Sequence, residues 1–316
     1  MFDYIGSALL VASALLLGFL TRRAYRSKRP IVKWGGTAVG ALSTLVASGA
    51  LGAVLIGYWQ LNRTYDNPVV DLNIASTPER VARGERLALM CVGCHAPDTA
   101  EVPVGRDFLG QDAPPIGRFH APNLTPAHLA EWSDGEIVRA IREGVHRSGR
   151  SLLIMPSSAW RNLSDEDAYS IVAYLRSLPA QGIATQPNRL NALGAVMSLF
   201  LPIREVQPHI VEPVLSPARG PTAAYGAYVS SFTCQACHGP NLLGNPDMPA
   251  PPLVAVPLAW SEEEFIHFIR TGLRPDGSSV DGEAMPWRDL SHLLNEDDEL
   301  RGVYAHLVDV GAEYIK

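Results

Sequence analysis

The 316-residue chain is short of cysteine, of charge and of any excess of basic residues. Four cysteines exclude a disulfide-dense scaffold, so their placement carries the information. Charged residues make up 18% against 47% apolar. That excludes a disordered chain and places part of the apolar weight in a bilayer. The 26 basic residues stand against 32 acidic ones, a net charge of −6, which excludes broad nucleic-acid binding. A nucleophile–base constellation of the kind that bond-making enzymes use is also missing. The length allows two domains at roughly 100–200 residues each, and 27 glycines with 25 prolines imply many loops.

The net charge hides a division. Up to Leu61 there are six basic residues (Arg22, Arg23, Arg26, Lys28, Arg29, Lys33) and one acid, Asp3. The remainder holds 20 basic and 31 acidic residues. Tyr4 to Leu20 and Trp34 to Gln60 carry no charge, and as helices they reach roughly 26 Å and 40 Å, enough to cross a bilayer. The basic cluster lies between them, and short positive loops stay in the cytoplasm. The expectation is a two-helix hairpin in a bacterial inner membrane, with the N-terminus and everything after Leu61 on the periplasmic side. A cleaved signal peptide is the competing reading; it calls for positive residues before the apolar run, and here they follow it. The small residues Gly36, Gly40, Gly49 and Gly52 permit close packing with another helix, although glycine is also simply common in membrane helices.

The cysteines fall in two copies of C-x-x-C-H: Cys91-Val92-Gly93-Cys94-His95 and Cys234-Gln235-Ala236-Cys237-His238. This is the attachment pattern of c-type heme. Each pair of thiols forms thioethers to the vinyl groups, and the adjacent histidine becomes the proximal iron ligand. A redox C-x-x-C needs a βαβ setting, and a four-cysteine zinc site leaves the histidines without a role.

The surrounding residues also repeat. Trp132-Ser-Asp-Gly-Glu through Gly144 aligns without a gap on Trp260-Ser-Glu-Glu-Glu through Gly272, and Gly149 and Gly277 follow at the same distance. Ala121-Pro122-Asn123-Leu124 matches Ala250-Pro251-Pro252-Leu253, and Met155-Pro156 matches Met285-Pro286. The first copy carries about 14 extra residues between histidine and proline, around Glu101 to Phe119. Ser133…Glu136 and Ser261…Glu264 read as capping boxes. Ser164 and Asn295 open further helices, and helices from Pro78 and Pro221 run into the two cysteine motifs. Gly84 and Gly226 within those helices either permit a close helix crossing or are ordinary mid-helix glycines.

A six-coordinate heme needs a second axial ligand, and methionine raises its potential. Met155 and Met285 occupy equivalent positions, each followed by proline. Met248-Pro249 has no counterpart in the first copy, and Met90 reads as packing. Pro122 and Pro251 are expected to accept the Nδ1–H of the proximal histidines, or else to be plain turn prolines. If one heme were bis-histidine, His146 would be the first alternative ligand.

These motifs resemble class I cytochrome c domains in tandem. In the first module Arg83-Gly84-Glu85-Arg86-Leu87, Pro122-Asn123-Leu124-Thr125-Pro126, Trp132-Ser133-Asp134-Gly135-Glu136 and Leu163-Ser164-Asp165-Glu166-Asp167 resemble the cytochrome c subunits of membrane-bound bacterial dehydrogenases for alcohol, gluconate and aldehyde oxidation. Those subunits usually carry three hemes and a C-terminal anchor, and this chain departs on both counts. The layout is also similar to the diheme subunit of cbb-type heme-copper oxidases. The hydropathy pattern, the repeat and the resemblance, which covers about residues 76–316, together point to an all-α chain: hairpin 1–61, first cytochrome c domain 62–180, strap 181–220, second cytochrome c domain 221–316. The resemblance implies two covalent hemes c with axial pairs His95/Met155 and His238/Met285. The expected function is a non-enzymatic electron-transfer subunit, relaying single electrons between a redox enzyme, a dehydrogenase first, and the respiratory chain. Expected partners are redox-enzyme subunits in a membrane complex, a soluble cytochrome or other small electron carrier, and the lipid bilayer. The alternatives are an electron inlet to a heme-copper oxidase or quinol-oxidising complex, and a diheme peroxidase. The strap, with Leu193, Val196, Met197 and Phe200 at helical spacing, is expected to pack across both modules, or else to face a membrane or a partner.

Overall fold

The computed structural model describes residues 4–97, 102–107, 116–246, 248, 250–282 and 284–314. Residues 101 and 108–115 of the inserted stretch that distinguishes the first copy lie outside them. The fold is mostly helical, with two tandem heme-motif modules behind two apolar helices. α1 (Tyr4–Tyr25) runs past the uncharged stretch and takes in Arg22 and Arg23. A π-helical turn, Val32–Gly36, leads into α2 (Thr37–Asn62). The pair is antiparallel: Gly40 lies against Thr21, Gly36 against Ala24 and Gly18 against Thr44. A Cβ on Gly40 would overlap the Thr21 side chain, so α1 is a close helix partner of this glycine face. Both helices are long and apolar enough to cross a membrane, and almost none of their surface is buried inside the protein.

In the first module α3 (Pro78–His95) starts at Thr77, whose side chain accepts from the Arg80 N–H, and continues without a break through the cysteine motif. Two-residue strands depart from the all-α expectation: β1 (Arg106–Asp107), β2 (Gly117–Arg118) and β3 (His120–Ala121). β1 pairs antiparallel with β3. α4 (Pro126–Leu129) precedes α5 (Asp134–Glu143), which has a complete capping box between Ser133 and Glu136. α6 (Ser157–Trp160) and α7 (Asp165–Ser177) complete the module. The strap then supplies β4 (Arg189–Leu190), which pairs with β2, and α8 (Ala192–Met197).

The second module has a broken entry helix. α9 (Ala223–Thr233) stops at Cys234 and α10 (Gln235–His238) holds the rest of the motif. α11 (Val256–Ala259), α12 (Glu262–Thr271) with the Ser261–Glu264 capping box, α13 (Trp287–Leu293) and α14 (Asp297–Tyr314) follow. In each module the entry helix crosses the last helix at its glycine. A Cβ on Gly84 would overlap the Ser170 carbonyl of α7, and one on Gly226 the Gly302 carbonyl of α14. These positions therefore require glycine for a backbone-to-backbone approach.

The two crossings pack on each other. Arg83, just before one crossing glycine, is buried and binds Asp167 of its own module through Nε at 2.9 Å and Nη2 at 3.0 Å. Its Nη1 reaches Glu299 of the other module at 3.3 Å. Tyr225, just before the other glycine, donates to Glu299 at 3.1 Å. Tyr228 donates to Asp167 at 2.6 Å and accepts the Ser164 N–H at 3.0 Å. Burial alone would raise the Asp167 pKa, but Arg83 and Tyr228 hold it below the usual carboxylate value.

Toward the second module, the end of the strap brings the Gly220 carbonyl against Gly302 of α14; its other long-range contacts run elsewhere. Its described hydrogen bonds run to the first module and to α2: Asn123 with Gln181 and Ile183, Arg161 with Pro208, Asp165 with Val214, Arg204 with Gln60. α8 lies on α2, with Ala195 against Gly57 and a small buried cluster of Val54, Tyr58 and Ala195. Leu193 and Phe200 point outward, because a six-residue helix already buries Gly194 and Ala195 and has little other face to cover.

Candidate heme sites

The two histidines of the motifs have the same surroundings. His95 and His238 are each buried at 8% exposure. His95 Nδ1 lies 2.8 Å from the Pro122 carbonyl, and His238 Nδ1 lies 2.8 Å from the Pro251 carbonyl. A carbonyl can only accept, so each Nδ1 carries its proton and each Nε2 keeps its lone pair for a metal. Burial pulls the His95 pKa down, and the Pro122 carbonyl partly opposes it.

Two other histidines of the first module are set the opposite way. His146 Nδ1 accepts the Ser148 N–H at 3.0 Å, and His128 Nδ1 accepts the Thr185 N–H at 3.3 Å. Their protons therefore sit on Nε2, which cannot ligate in that tautomer. Burial, followed by the charges of Arg150 and other neighbours, pushes His146 down to about 4. Its ring packs edge-on to Trp132 at 4.8 Å.

The methionine loops are also alike. α5 and α12 end on Gly144 and Gly272, both left-handed with φ of 69° and 72°. The chain then makes a narrow two-rung turn, Val145 opposite Ser151 and Leu273 opposite Ser279. Met155 and Met285 follow, and their carbonyls accept the Ser157 and Trp287 N–H groups at 2.8 and 2.7 Å. Pro156 and Pro286 have nearly the same backbone angles (φ −80°, ψ 65°; φ −77°, ψ 60°). Met248 is 43% exposed, on a surface turn.

In the first module a cavity of about 310 Å³ brings together Cys91, Cys94, His95, Pro122 and Met155. Burial pushes the Cys91 thiol up to about 12 and also raises Cys94 and Cys234. Among the described residues no three His, Cys, Asp or Glu side chains converge on a metal-ion site. A porphyrin with two thioether links and a histidine nitrogen is the group these donors suit.

Several wall residues escape sequence reasoning. Tyr58, Leu61 and Asn62, at the end of α2, line this cavity, as do Thr185 to Leu190 of the strap. They are far from the motif in sequence, so no local signal marks them. Gly105 and Gly244 take φ of 87° and 92° and donate their N–H to the His95 and His238 carbonyls at 2.7 and 2.9 Å. Their distances from the histidines differ between the copies, ten residues against six, which hides the equivalence.

Comparison with known proteins agrees with this geometry. A family model described as cytochrome c matches residues 81–179. A second, described as cytochrome c oxidase, cbb3-type, subunit III, matches residues 221–307. A subunit of the nicotinate dehydrogenase of Pseudomonas putida is 29% identical over 222 residues, covering 60% of this chain and 18% of that protein. A diheme cytochrome c-type protein of Cereibacter sphaeroides is 25% identical over 301 residues, covering 84% of this chain and 98% of the relative. The fructose dehydrogenase cytochrome subunit of Gluconobacter japonicus is 30% identical over 106 residues, 30% of this chain and 20% of that subunit. The chain thus spans about a fifth of the length of the two dehydrogenase subunits it matches. Heme c is the cofactor expected in both modules. The chain thus carries two cytochrome c domains in tandem and is homologous to a diheme cytochrome c and to the cytochrome subunits of dehydrogenases.

Proposed function

We propose that this chain is a membrane-anchored electron-transfer subunit with two hemes c, ligated by His95/Met155 and His238/Met285. It relays single electrons on the periplasmic face of the inner membrane between a dehydrogenase and the respiratory chain. We divide it into the hairpin 1–61, domains 62–180 and 221–316, and the strap 181–220. The observation that carries the reading is the duplicated arrangement at the histidines: two buried Nδ1–H groups on proline carbonyls, each in a module whose methionine loop follows the same course. Heme iron supplies one-electron chemistry between its ferric and ferrous states. The protein holds each imidazole in the ligating tautomer and encloses the group in apolar side chains. The anchor reading rests on the two apolar helices and the basic turn between them. The net acidity beyond Leu61 favours a basic soluble carrier as a redox partner.

A second reading, electron inlet to a heme-copper oxidase, draws on the family match of the second module. Purification from native membranes in mild detergent separates the two. A co-purifying dehydrogenase whose substrate reduces both hemes supports the first reading. A co-purifying oxidase, with no substrate-driven reduction by any dehydrogenase, overturns it.

A further inference from the structure

We propose that the strap segment from Asn191 to Pro202 is a lipid-contacting element, with Leu193, Phe200 and Leu201 seated in the outer-leaflet headgroup layer. This rests on the reading of α1 and α2 as a membrane hairpin. The apolar segment ending α2 runs from Val32 to Asn62, about 46 Å at 1.5 Å per residue, against a hydrocarbon core of about 30 Å. With Lys33 at the outer edge of the cytoplasmic headgroup layer, Gly57 stands about 36 Å along the helix, where the hydrocarbon of a bilayer ~40–45 Å thick with its headgroups gives way to the outer headgroup layer.

That is the level at which the strap is fastened. Ala195 packs on Gly57, where a Cβ would overlap its carbonyl, and Val54 and Tyr58 are buried beneath the same helix. Arg204 binds the Gln60 carbonyl at 3.2 Å and the Gln60 side chain. The chain between these two fixed points carries Phe200 at 79% exposure and Leu201 at 47%, with Leu193 at 50% on α8. On α2 itself Trp59 is exposed at this level, as an interfacial tryptophan would be. These exposed apolar side chains therefore lie on a segment fastened to the helix pair read as the membrane hairpin. Apolar side chains at this depth are what holds an interfacial segment on a membrane. The contact bears on the first heme pocket, because the Ile154 N–H donates to the Ile203 carbonyl at 2.7 Å, next to Met155.

The test uses the full chain in nanodiscs of phosphatidylethanolamine and phosphatidylglycerol. Photoreactive benzoylphenylalanine replaces Leu45 in α2, Phe200 in the strap, or Leu258 in the second module, one at a time. All three are exposed, and heme absorbance reports that each variant is folded. Lipid adducts at 45 and 200, and none at 258, are expected. Lipid at 45 without lipid at 200, or an adduct at 200 to another protein chain, overturns the proposal while leaving the hairpin intact. Absence of lipid at both 45 and 200 overturns the membrane reading and the proposal with it.

Discussion

At the residue scale, the choice of ligand comes down to which nitrogen holds a proton. His95 and His238 face carbonyls, whereas His146 and His128 face backbone N–H groups. Exchanging Met155 or Met285 for histidine should remove the methionine–iron charge-transfer band of one heme. It should also lower that heme's potential by on the order of 0.1 V, within the ~0.8 V range that axial ligands span. Met248→Leu should leave both spectra and both potentials as they were, because Met248 lies on an exposed turn. The ten proposed heme-site residues come from local patterns in the sequence, C-x-x-C-H and a repeated Met-Pro, and the expected His95–Pro122 and His238–Pro251 contacts are present among them. Gly105 and Gly244 are not, because the loop between histidine and glycine differs in length while its backbone bond does not.

At the element scale, capping boxes and crossing glycines set helix ends and helix separation. Both boxes are visible as S-x-x-E in the sequence, and both form. Ser133→Ala and Ser261→Ala should each cost about 1 kcal/mol, read from denaturant midpoints. Gly84→Val should cost at least ~1–3 kcal/mol as an overpacking substitution, because the obstructing group is a backbone carbonyl that cannot rotate away. Gly226→Val should do the same in the second module, and thermal melts of the holoprotein measure both. The break between α9 and α10, absent in the unbroken α3, was not legible: the two entry helices read alike until Cys234. The short β1–β3 and β2–β4 ladders were also missed, because two-residue pairings leave no periodicity.

At the scale of the whole molecule, two contacts join the modules to each other and to the pair of apolar helices. One is the polar interface of Arg83, Asp167, Glu299, Tyr225 and Tyr228. The other is the seating of α8 on α2, which brings the end of an apolar helix to the wall of the first cavity. Neither is legible in the sequence, since each joins residues far apart in the chain. Arg83→Met leaves two buried carboxylates without their cation and should cost ~3–5 kcal/mol. The same pair predicts acid sensitivity. Asp167 is held below its usual 3.8 in the folded state. Its contribution is therefore complete above that value and is lost as the pH falls through the lower folded value. Denaturation midpoints should drop below about pH 4, and Arg83→Met should flatten that limb.

The most direct test of the account is near-infrared magnetic circular dichroism of the oxidised full-length protein, followed by exposure of the reduced protein to carbon monoxide. Two low-spin hemes per chain, both with histidine–methionine signatures and neither binding carbon monoxide, are predicted. A bis-histidine heme would contradict the pairing of His95 with Met155 and His238 with Met285, and a high-spin heme or carbon monoxide bound at either site would contradict both that pairing and the reading of this chain as a pure electron relay.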